Sequence, residues 1–160
     1  MKFPTPSTTD STDLLQHLAL ERISVQWAGF LAVLSDELQA QLSGDEYRAL
    51  LGRLGARFAQ SVELPACDSL ADMEDAANRI WQELRWGYAS FSDSGRQLLI
   101  EHHACPLPAA LQVDAELAAG FLEGVYAAWL VAAGSPPELD LAHVPGDDRP
   151  MFMAFELSAR

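Results

Sequence analysis

Positive charge is scarce in this chain, and what there is lies scattered. Ten Lys and Arg stand against 23 Asp and Glu, giving a formal charge of -13 and a pI near 4.4. Nucleic-acid binding needs clustered cations to neutralise phosphates, so the sequence argues against that partner, and against an anionic membrane surface for the same reason. The acidity itself reports solubility. Cysteine is almost absent: Cys67 and Cys105 are too few for a disulfide framework in 160 residues and read as small buried side chains, with a single bridge left open. No apolar run reaches the roughly 20 residues that span a bilayer. The longest, residues 117–133, carries Glu123 near its middle, where a charge is expensive, so membrane insertion is not expected. Walker loops, dinucleotide fingerprints and nucleophile elbows are missing too. The opening MKFPTPSTTDSTD has no apolar stretch of the secretory kind. It reads as a flexible arm over residues 1–13 of a cytoplasmic protein, periplasmic being the alternative.

What is present is a single domain over residues 14–160. Hydrophobic residues make up 49% and charged ones 21%, the mix of a chain that buries a core without staples. Over residues 24–43, Trp27, Phe30, Leu31, Leu34, Leu38 and Leu42 recur at spacings of three and four, predicting an amphipathic helix with Ser24 as its N-cap. LLQHLALER upstream fits a short lead-in helix. Ser43 and Glu46 have the spacing of a capping box and open a second helix with Tyr47, Leu50, Leu51, Leu54 and Phe58 on its apolar stripe. Gly52 and Gly55 inside it each cost up to about 1 kcal/mol against Ala, a cost that close approach of a neighbour would offset. Ser69 and Asp72 open a third helix expected to end near Gly87.

The period then changes to two. YASFSD and RQLLIEHHA flank a tight Asp-Ser-Gly turn, with Ala89, Phe91, Leu98, Ile100 and His102 on one face. Asp114 caps a helix running to Ala133, and LDLAHV and MFMAFEL form a second hairpin across PGDDRP. The expected fold is therefore α+β: N-terminal helices and a central apolar helix packed on a four-stranded antiparallel sheet made of two hairpins. A helix apolar all round is covered all round. Gly120, Gly124 and Ala128 form a small-residue stripe on it that admits either an element of the same chain or another subunit.

Candidate chemistry is thin. Glu101, His102, His103 and Cys105 in EHHAC are potential ligands, but adjacent strand residues point to opposite faces, and zinc sites draw ligands from separated segments. His17 and His143 have no ligand spacing around them. Asp147 and Asp148 read as turn solvation. No metal, cofactor or catalytic set is assigned. An enzyme would have to rely on Cys105 or His103, without a loop to stabilise an oxyanion. Among the aromatics, Trp27, Trp81, Trp86, Tyr88, Tyr126 and Trp129 could supply flat faces for carbohydrate, though core packing is the commoner use of such residues.

Read together, WQELRWGYASFSDSGRQLLIEHHACPL and AAGFLEGVYAAWLVAAG, preceded by RALLGRLGARFAQSVELPAC, resemble the family of the cellulose synthase D subunit over residues 24–157. The resemblance implies a non-enzymatic accessory protein of bacterial cellulose secretion: a ring-like homo-octamer built from dimers, whose N-terminal segments line passages for nascent glucan. Its partners would be its own copies, the synthase subunits and possible glucan chains. On that reading Lys2, Phe3, Thr5 and Ser7 of the arm are the glucan-contact candidates, and Gly120, Gly124 and Ala128 the interface candidates. A Leu at Gly124 would then weaken assembly more than the monomer fold. The same order of elements is also similar to α+β sensor domains related to haem-nitric-oxide sensors, in which His102 or His103 would be the nearest haem ligand.

Overall fold

Local chemistry starts three of the helices. Ser43 and Glu46 form a reciprocal capping box: the Ser43 amide donates to the Glu46 carboxylate at 2.9 Å while the Glu46 amide donates to the Ser43 hydroxyl. Ser69 accepts from the Asp72 amide and Asp114 from the Leu117 amide at 2.8 Å. The computed structural model describes residues 24–136, 138–146, 149 and 151–159. Lys2, Phe3, Thr5, Ser7, the lead-in stretch with His17, and Asp147 and Asp148 lie outside them. The elements are α1 (Val25–Gln41), α2 (Gly44–Ser61), α3 (Leu70–Leu84), β1 (Tyr88–Asp93), β2 (Leu98–His103), α4 (Leu107–Leu111), α5 (Ala115–Ala132), β3 (Leu139–Val144) and β4 (Phe152–Ala159). The fold is α+β, as the patterning requires.

The two hairpins join through β2 and β4 into one antiparallel sheet of order β1-β2-β4-β3. Ala89, Ile100, His102, Met153 and Phe155 turn to one face, with Ala89 opposite His102 and Ile100 opposite Phe155. α3 and α5 cover that face, bringing in Met73, Ala77, Trp81, Leu122, Val125, Tyr126 and Trp129. At the β1 edge, two α3 side chains finish the ladder. Asn78 donates to the Ala89 carbonyl and accepts from its amide at 2.8 and 2.7 Å, and Glu74 accepts from the Phe91 amide. Four residues of helix rise about 6 Å and two of strand about 6.7 Å, so i and i+4 on α3 meet i and i+2 on β1. The edge is thereby covered instead of left as a template for pairing.

The other side of α5 is covered by α2. Tyr47, Leu51, Gly55 and Ala59 are the buried row of α2, and the two backbones nearly touch. A Cβ on Gly55 would lie 1.9 Å from the Phe121 carbonyl oxygen, one on Gly124 2.1 Å from that of Gly52, and one on Gly120 2.7 Å from that of Arg48. Gly120 and Gly124 are thus packed against α2 of their own chain, and Ala128 lies half-buried beside the core. A Leu at Gly124 would therefore strain the monomer fold as well.

Three features depart from the sequence reading. α3 ends at Leu84 with Arg85 in the left-handed region, φ 58°, ahead of Gly87. Gly87 is required for another reason: its φ is +87°, and a Cβ there would strike the His103 carbonyl. α4 was not anticipated; it is a five-residue helix with a proline in its first turn. On α1, Trp27, Phe30 and Leu34 of the expected core stripe are exposed. Ser35 is the α1 residue that goes inside, its hydroxyl 2.8 Å from that of Tyr47.

The seam between α2 and α5 yields a paired prediction. Gly55→Ala must push the helices apart and should lower unfolding free energy by about 2–3 kcal/mol. Gly52→Ala meets its nearest atom at 3.5 Å, an ordinary contact. It should be neutral or stabilising by up to about 1 kcal/mol through helix propensity. Urea denaturation of the two variants decides; equal effects would mean that the close approach is not what the glycines serve.

Candidate functional site

Glu123, the charge inside the apolar helix, has a partner. It lies on the α2 side of α5 and forms an ion pair with Arg48, which also donates to the Glu116 carbonyl. Burial raises the Glu123 pKa, opposed by the Arg48 guanidinium. The pair sits at the wall of an open cleft of about 390 Å³ lined by Asp45, Ala49, Gly52, Gly124 and Asp140 among others. By length and composition α5 could cross a membrane, yet in this fold it lies between α2 and the sheet.

EHHAC is divided by the pleat. His102 faces inward and is fully buried, with Nε2 2.7 Å from the Trp86 carbonyl and Nδ1 2.6 Å from the Tyr126 hydroxyl. A carbonyl can only accept, so Nε2 carries the proton and donates, leaving Nδ1 to accept from Tyr126. This is the neutral ring, and burial pulls its pKa down to about 4. Both nitrogens are engaged, so His102 offers no lone pair to a haem iron. Cys105 is also buried, and burial pushes its thiol up to about 12, which disarms it as a nucleophile. Cys67, partly exposed, is free as well. Among the described residues no group of three potential ligands comes together.

The aromatic residues separate into two populations. Trp81 is completely buried and meets Trp129, His102 and Tyr126 at ring separations of 5.1–5.9 Å. Phe58 and Trp86 lie nearly parallel to it at its outer margin. Tyr126 and Trp129 are core residues too. Tyr88, by contrast, is 51% exposed on the outer sheet face and stacks on His103, with centroids 4.7 Å apart and planes 13° off parallel. His103 in turn meets Phe152, over whose ring lies the Arg149 guanidinium, itself paired with Glu101.

Among the described residues, exposed large apolar side chains gather on α1. Trp27 and Phe30 are each 57% exposed and Val33 70%, with Leu34 beside them; the Trp27 and Phe30 rings touch edge to face. The row is one helical face long. Sequence periodicity located it but assigned it to the core, because period alone does not say which partner covers a stripe.

His102 makes a pH prediction. Its folded pKa lies below the unfolded value, so the stability it contributes is complete above about pH 6.5 and lost as pH falls through about 4. The full loss is about 3 kcal/mol. Unfolding free energies measured from pH 7 to 4 should fall less steeply in His102→Gln than in the parent chain; parallel curves would show that His102 titrates alike in both states.

The family model for the D subunit of cellulose synthase matches residues 13–155, most of the chain. A search of curated proteins finds no match.

Proposed function

Since the chain belongs to the cellulose synthase D-subunit family, we propose that it serves bacterial cellulose synthesis as a non-catalytic scaffold. It assembles into a ring-like homo-octamer built from dimers that guides nascent glucan chains or organises synthase complexes. The apolar row of α1 carries this reading. Burying Trp27, Phe30, Val33 and Leu34 against another copy removes from water the largest side chains the protein leaves exposed on one helix. Gly120, Gly124 and Ala128 remain interface candidates beside it, with Gly120 and Gly124 also packed against α2 of their own chain. Burial holds Cys105, one of the two groups a catalyst would have used, as a thiol.

The finer parts of the reading follow from the same role. Lys2, Phe3, Thr5 and Ser7, upstream of α1 in the chain, offer ammonium, ring and hydroxyl groups to sugar hydroxyls. The synthase subunits are the protein partners. Cytoplasmic placement agrees with the two free thiols, since reducing compartments preserve them.

Native mass measured by light scattering tests the reading. The wild-type chain should run near eight subunits. Trp27→Glu combined with Phe30→Glu should weaken assembly by at least about a hundredfold with far-UV circular dichroism unchanged. A wild-type monomer, or a double variant that assembles normally, would overturn it.

A further inference from the structure

The hydrogen bonds at one edge of the sheet fix the direction of the backbone groups across all of it. Asn78 takes both the amide and the carbonyl of Ala89, so Ala89 points off the β1 edge. In an antiparallel ladder, successive residues of a strand alternate in the side to which both backbone groups point. Carried through the register, that alternation turns Ile100 toward Phe155, Ala154 toward Val144, and Leu141 and His143 off the free edge of β3. The two edges are then treated differently. Side chains of α3 close the β1 edge. On β3, the Leu139 amide donates to the Pro136 carbonyl at 3.1 Å. Among the described residues, no hydrogen bond occupies the Leu141 amide and carbonyl or the His143 carbonyl. β3 also pairs without a bulge and contains no proline or lysine, the devices that guard an open edge. Beside this edge lies the cleft of Arg48 and Glu123. Its wall is built from α2, α5 and Asp140 and Leu141 of β3, and takes nothing from β4, which places it on the free side of β3. It carries the carboxylates of Asp45, Glu123 and Asp140 against the guanidinium of Arg48.

We infer that the β3 edge receives an extended segment of a different protein, added as a further strand, with a Lys or Arg side chain reaching into the cleft. Strand addition draws its hydrogen bonds from the free backbone groups of Leu141 and His143, and alternate side chains of the added strand turn to the face on which the cleft lies. Charge selects the occupant. The protein carries -13, and the cleft adds an acidic excess of its own. Glu123 is partly buried, so an arriving cation meets a charge that solvent screens only in part. A second copy of β3 is disfavoured by the same charges: LDLAHV has no Lys or Arg to offer, and pairing it with itself brings two acidic clefts together. None of these residues belongs to α1, so the inference stands apart from assembly into a ring.

The experiment is amide hydrogen exchange of the full-length protein, read residue by residue by mass spectrometry, with native mass recorded alongside. The probes are capped peptides in which Thr and Val alternate around a central Lys, around a central Glu, or around Lys with the backbone N-methylated along one edge. Without peptide the Leu141 amide should exchange fast. The Lys peptide at millimolar concentration should slow it by about tenfold or more. The N-methylated peptide should not slow it, and the Glu peptide should bind at least about fivefold more weakly. Combining Asp45→Asn with Asp140→Asn should narrow the gap between Lys and Glu peptides, with far-UV circular dichroism and native mass unchanged. If that variant loses its circular dichroism, the peptide series alone decides. A Leu141 amide already protected in the assembled protein overturns the inference, since a second copy would then hold the edge. So does a Lys peptide that leaves its exchange unchanged, or protection by all three peptides alike. A native mass near eight subunits with protection specific to the Lys peptide upholds both this inference and the scaffold reading. The same protection in a monomer upholds the inference and removes the ring.

Discussion

The α2–α5 seam is the constraint on which the remaining architecture depends. Backbone meets backbone there because Gly55, Gly120 and Gly124 have no Cβ to hold the helices apart. The short distance lets Arg48 reach Glu123, so the one charge in the apolar body of α5 is neutralised across the seam instead of being buried unpaired. It also lets α2 cover the side of α5 that the sheet does not. α5 is thereby held between α2 and the sheet, with Val131 near its end left exposed, although its composition alone is compatible with a bilayer. Helix propensity is given up at those glycines, and contact along the whole interface is gained in return.

Much of this was legible in the sequence, because the signals involved are local. Ser43, Ser69 and Asp114 announce helix starts through hydrogen bonds to amides three residues on. The alternation in YASFSD and LLIEHH assigns each residue to a face, and the inward placing of His102 and outward placing of His103 follow from the period of two. What was not legible depends on distant partners. Arg85 takes the left-handed position at the end of α3, ahead of Gly87, whose own bareness is demanded by the His103 carbonyl of β2. α4 is too short for any periodicity to register. The stripe on α1 is real, but whether it faces a core or a solvent is decided by the packing of α2 on α5, which leaves α1 outside.

The same division separates the chemistry. Side chains on the inner face of the sheet are desolvated, and desolvation favours neutral forms: His102 without its second proton, Cys105 with its only one. Strand neighbours of those residues, Glu101 and His103, point the other way and keep access to water, rings and charge partners. A motif such as EHHAC therefore looks like one cluster in the sequence and is two environments in the fold, neither suited to holding a metal.

From this separation follows a plan for the surface. The proposed assembly needs a face that the monomer's own core does not use. Apolar area concentrated in one strip would give protein association its driving force. Among the described residues the chain concentrates such area on α1, the long helix that contributes least to its own core. An amphipathic helix that stays half exposed would be a defect in a monomer. In the proposed assembly it is the part of the core that only the oligomer completes, so that the periodicity marks the stripe while the partner lies in another chain.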